Sequence, residues 1–104
     1  MEPKSTKILI GIPQGIPRTL VVEYLERCRI GLPLLEAAVC QNQHEQTRVL
    51  GHRMKGTGAP YGFYRLTEIG ALIEHAAADQ NNGALREYVA QLAEYLNRVE
   101  IRGE

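Results

Sequence analysis

Charge of a single sign is missing from this sequence: 12 Lys and Arg stand against 12 Asp and Glu, a formal net charge of +0. That balance argues against a binder held by the bulk field of a polyanion, whether nucleic acid or an anionic membrane, while leaving a local patch open. Cysteine is scarce as well. Cys28 and Cys40 form no CxxC pair, and with His44, His52 and His75 they make no zinc pattern of ordinary spacing. Both read as small apolar residues in a reducing compartment. No apolar run approaches the ~20 residues needed to span a bilayer. The run from Ile8 to Ile12 follows lysines but stops at Pro13, short of the ~7–15-residue apolar region of a signal peptide. A soluble, cytoplasmic protein is expected.

What is present is one domain's worth of chain. With 104 residues, 44% hydrophobic and 23% charged, a core is feasible but not generous. There is no room for a nucleotide-binding catalytic domain beside anything else. Residues 1–16 hold Gly11, Pro13 and Gly15 and read as an extended, irregular arm. Pro17 suits the first turn of a helix. After it Val21, Tyr24, Leu25, Cys28, Leu32, Leu35 and Val39 recur at steps of three and four, an amphipathic helix in which Gly31 and Pro33 predict a kink or a division into two. Asn42 is a candidate N-cap for a second helix from about residue 43 to about residue 59. A third, from Phe63 or Tyr64, carries Leu66, Ile69, Gly70, Ile73, Ala76 and Ala77. A fourth, after Asn81-Asn82-Gly83, carries Leu85, Tyr88, Val89, Leu92, Leu96 and Val99. No segment reads as a clear strand. The stripes can be buried only together, which predicts an all-α, antiparallel up-down four-helix bundle over residues 17–102, preceded by a short extended arm at 1–16.

The second helix departs from its neighbours. At 100° per residue, Met54, Thr57, Gly58 and Tyr61 fall within about 80° of Leu50 on the core side. Arg48, His52, Lys55, Gly56 and Ala59 fall on the opposite side, so the His52 imidazole is expected on the solvent face with Lys55 one turn later. Gly51 and Gly58 flank the core side, where a missing side chain lets another helix approach. Gly56 gains nothing from that reading, and an outward glycine beside an outward histidine leaves the ring open to a bulky partner. By spacing alone, the commoner reading of His52 is an ordinary surface histidine.

The string Gly51-His52-Arg53-Met54-Lys55-Gly56-Thr57-Gly58-Ala59-Pro60-Tyr61-Gly62-Phe63 is followed by Leu66-Thr67-Glu68-Ile69-Gly70 and by Glu74 with Ala76-Ala77. It resembles the histidine-containing phosphotransfer (HPt) domains of bacterial two-component phosphorelays. The resemblance runs from Arg48 to Ala77 and is extended by helical pattern from about Arg18 to about Ile101; residues 1–16 match nothing in it. It implies the same four-helix bundle, with His52 as phosphoacceptor, Lys55 as the cation near the phosphoryl oxygens, and Arg48, Gly56 and Ala59 on the face that docks a partner. A neutral imidazole nitrogen can attack an aspartyl phosphate in line, and such transfers need mainly positioning and charge neutralisation. The implied partners are receiver domains of response regulators or hybrid histidine kinases, with no nucleic acid and no membrane, and the carrier is expected to be a monomer. No cofactor is implied for this chain: the divalent cation and the carboxylates that hold it belong to the partner receiver, and no acidic cluster is expected beside His52. Without an ATP site the protein would not phosphorylate itself.

Other readings stay in view. A non-catalytic helical adaptor could bind a signalling partner through the same face. The dimerisation-and-phosphoacceptor helices of a sensor kinase fit less well, since Arg53 stands where an acidic residue usually follows their histidine. His44 reads as a solvated polar residue, and Thr57 as a packing residue or one that bonds back to its own helix. His75 with His52 would make only a poor metal pair, without a carboxylate shell.

Overall fold

Helix starts and stops follow local chemistry along the chain. A computed structural model of the protein describes residues 6–103; residues 1–5 of the expected arm lie outside the described residues. The elements are β1 (Ile8–Ile10), α1 (Arg18–Cys40), α2 (His44–Thr57), a 3₁₀ turn (Ala59–Tyr61), α3 (Tyr64–Ala78), α4 (Asn82–Arg98) and β2 (Val99–Ile101). Pro17, at φ −62°, is the N-cap of α1 and its carbonyl accepts from the N–H groups of Leu20 and Val21. Pro33 does not divide α1. A mid-helix proline costs about 3 kcal/mol, but Val21, Tyr24 and Leu25 before it and Leu35, Ala38 and Val39 after it are buried, and that packing holds both halves in one helix.

Asn42 is not the N-cap of α2. It adopts a left-handed conformation at φ 58° and ends α1, with the N–H of Gln43 reaching back to the carbonyl of Ala38 at 2.9 Å. Gln43 is the N-cap instead. The same closure recurs after α3 at Gln80, φ 53°, and there Asn81 does cap: its Oδ1 accepts from the N–H of Ala84 at 3.1 Å.

Each helix packs on its neighbour in sequence and α1 closes against α4, the neighbour pattern of an up-down bundle. The α3 stripe is buried as the sequence predicts, from Leu66 to Ala77. The fourth helix is shorter than its stripe. It stops at Arg98, and Val99, fully buried, begins β2.

β2 pairs in parallel with β1, Ile8 with Val99, Leu9 with Glu100 and Ile10 with Ile101. Part of the arm is therefore a strand and not irregular chain. Ile8 and Ile10 turn inward to the core and Leu9 turns out, the alternation any strand imposes. Three residues are too few for that period to stand out in sequence. The rest of the arm folds over the corner at Gly62. There φ is +97°, a conformation that favours glycine, and a Cβ would also sit tightly, 3.1 Å from the Gly11 carbonyl and 3.2 Å from the Pro13 ring.

Candidate functional site

The two helices that meet most closely are α2 and α3, and glycine is the reason. A Cβ on Gly51 would lie 2.8 Å from the backbone nitrogen of Glu74 and 2.9 Å from the Gly70 carbonyl; one on Gly70 would lie 2.6 Å from the backbone nitrogen of Lys55. Both positions must lack a side chain for the backbones to touch. Thr67 closes the same seam: its Oγ1 donates to the Lys55 carbonyl at 3.0 Å and accepts from the N–H of Ala59 at 2.8 Å, satisfying two groups at the end of α2.

This contact brings Glu74 of α3 to the outer face of α2. One carboxylate oxygen lies 3.0 Å from Nδ1 of His52 and the other 2.9 Å from Nζ of Lys55. The His52 side chain is 63% exposed, as the helical wheel predicts, whereas Glu74 is only 21% exposed. The Lys55 ammonium, and after it the His52 hydrogen bond, hold the Glu74 carboxyl below the usual carboxylate range. Glu74 is therefore an anion that clamps two side chains one turn apart. A carboxylate only accepts hydrogen bonds, so Nδ1 of His52 is the donor and the lone pair of the neutral ring resides on Nε2.

Gly56 leaves the face open, since a Cβ there would meet nothing within 4 Å. Arg48 is on the same face but engaged: its guanidinium makes a two-pronged contact to Glu45, at 2.6 and 3.0 Å. With Lys55, Ala71, Glu74, His75 and Ala78 it lines a shallow depression of about 400 Å³. Ala59 lies beyond the end of α2, half-buried in the 3₁₀ turn, where the α-helical wheel no longer sets its direction.

The remaining candidates separate from this face. Thr57 bonds back to the Arg53 carbonyl at 2.8 Å, as its reading from sequence has it, and also meets the Tyr24 hydroxyl at 2.8 Å. Tyr24 stacks on Tyr61 at 4.6 Å between ring centres, and burial pushes its phenol well above the usual range. His44 is not simply solvated: its Nε2 lies 2.7 Å from Oδ1 of Asn82, tying α2 to the start of α4. His75 is exposed, 3.4 Å from Asp79. Glu74 is the residue whose role sequence reasoning missed. It was visible as part of the family-like string, but its contact with His52 depends on how α3 is set against α2.

The four-helix bundle thus holds the exposed His52 on an open helix face beside a lysine and a carboxylate. Residues 19–101 match the Hpt domain family. The chain belongs to that family, whose members carry out histidine phosphotransfer in phosphorelays and interact with receiver domains. No curated protein and no solved structure matches the chain. Among the described residues no helix is long and apolar enough to cross a membrane.

Proposed function

We propose that His52 is the phosphoacceptor, taking a phosphoryl group from a receiver-domain aspartate through Nε2 and passing it to a second receiver. The observation that carries this reading is the exposed ring held through Nδ1 by Glu74, with open space at Gly56 beside it. Lys55 offsets the negative phosphoryl oxygens during transfer. Arg48, Gly56 and Ala59 belong to the surface that meets the receiver. The chain works as a monomer in the cytoplasm and needs no cofactor of its own, the divalent cation being the receiver's.

The test is incubation with phosphorylated receivers from the same genome. Wild-type protein should acquire an acid-labile, alkali-stable phosphate. His52→Gln should acquire none while keeping its far-ultraviolet circular dichroism. Lys55→Ala should fold normally and transfer about ten- to a hundredfold more slowly. Normal signalling by His52→Gln would favour a non-catalytic adaptor instead.

A further inference from the structure

We infer that the cleft between α1 and α2 is a binding site for a straight-chain fatty carboxylate of about ten carbons, its head held by Arg27 and Arg53. The site is separate from His52 and does not rest on that residue being a phosphoacceptor.

Helix α2 meets its two neighbours unequally. Against α3 the backbones touch at Gly51 and Gly70, but against α1 a cavity of about 410 Å³ stays open. Its floor is made by buried Leu35 and Leu92, and its walls by half-buried Leu32, Leu50 and Met54. Gly31 opens it further. A Cβ there would meet nothing within 4 Å, so this mid-helix glycine serves no close approach. What it leaves is room in the cleft.

Arg27 of α1 and Arg53 of α2 stand on the two banks. Neither side chain has a hydrogen bond or ion pair among the described residues, and no carboxylate lines the cleft. In a chain whose charges balance, that is a local excess of positive charge over an apolar trough. The pattern suits a ligand with one anionic end and an apolar body, since guanidinium groups match a carboxylate and aliphatic walls match a hydrocarbon tail. The hydroxyls of the lining are already satisfied: Thr57 donates to the Arg53 carbonyl and accepts from Tyr24. They leave the head to the arginines. Tyr24 and Tyr61 are stacked on each other, which closes the slot a flat aromatic ligand would take. Volume sets the length. At roughly 30 Å³ per non-hydrogen atom the cavity takes about a dozen, the size of decanoate.

Arg53 and His52 are adjacent in sequence, but their side chains take different flanks of α2, toward α1 and α3. A bound acid would leave the face of His52, Lys55 and Glu74 uncovered.

The experiment titrates decanoate into the full chain and follows it by ¹⁵N-HSQC NMR, with octanoate, decylamine and a receiver domain as comparisons. One decanoate should bind with a dissociation constant of about 0.1 mM and move the amides of Gly31 and Thr57. Octanoate, two methylenes shorter, should bind about tenfold more weakly. Arg27→Gln and Arg53→Gln, both at exposed positions, should each weaken decanoate about tenfold. Gly31→Phe should fill the cleft and abolish binding; if that variant fails to fold, the two arginine variants decide. Bound decanoate should slow alkylation of Cys28 in the cleft by N-ethylmaleimide, but not that of exposed Cys40. Equal binding of decylamine, or undiminished binding by both arginine variants, would overturn the inference. So would shifts at Gly31 with the receiver but none with decanoate, which would assign the cleft to a protein partner.

Discussion

At His52 the decisive neighbour arrives from another helix. The ring's exposure and the position of Lys55 one turn away are consequences of helical period alone, and both were legible in the sequence. The engagement of Arg48 was not read, although Glu45 sits one turn before it and such i,i+3 pairs are ordinary. Glu74 was beyond reach of periodicity, because which side chain of α3 meets His52 is decided by the rotation and register of one helix on another. The lowered pKa of Glu74 gives a direct check. A carboxyl whose folded value lies below the ordinary ~4.3 contributes stability that is present above that value and is lost as pH falls through the lowered one. The Glu74 side-chain carbon should therefore titrate below ~4.3 when followed by NMR, and Lys55→Ala should return it toward that value. A Glu74 midpoint at or above the free value would mean that the clamp on Lys55 is not formed in solution.

Among the elements, α2 and α3 pack most closely, and the glycines of this pair divide into two kinds. Gly56 faces open space, so Gly56→Ala should stabilise the fold by about 0.5–1 kcal/mol in a urea titration, the ordinary gain for a helix interior. Gly70, facing α2 from α3, is the opposite case. A methyl group there meets backbone and not a yielding side chain, so Gly70→Ala should cost about 1–3 kcal/mol. It should also weaken the Glu74 contact to His52. Equal effects of the two substitutions would contradict the close α2–α3 approach. The stripes of α3 and α4 were readable because each is long and regular. The continuity of α1 through Pro33 was not, since residue propensity argues for a break and only the burial on both sides of it argues against one. Asn42 misled for a related reason: the residue that can cap a following helix can equally close the preceding one in a left-handed turn.

On the scale of the whole molecule, the bundle follows from four apolar stripes that need one another, whereas the β1–β2 pair joins the two ends of the chain. Nothing local announces it. Three-residue strands carry almost no periodic signal, and their partners lie at opposite ends of the sequence. Ile8 and Ile10 are packed against the core from this position. The double substitution Ile8→Ala with Ile10→Ala should lower stability by about 2–3 kcal/mol in thermal or urea unfolding. Phosphorylation of His52 under folding conditions should persist, since the ring's partners come from α2 and α3.

Because those strands run side by side, with the N–H of Arg102 donating to the Ile10 carbonyl at 2.7 Å, a hydrogen bond closes a ring that takes in all four helices. Closing so large a ring carries a large entropic penalty, and little is gained until the helices have already assembled. The clasp should therefore form last and open first, with amide protons at Arg102 exchanging well ahead of those in the middle of α3. The molecule would then loosen at its seam while the histidine-bearing pair of helices still held together.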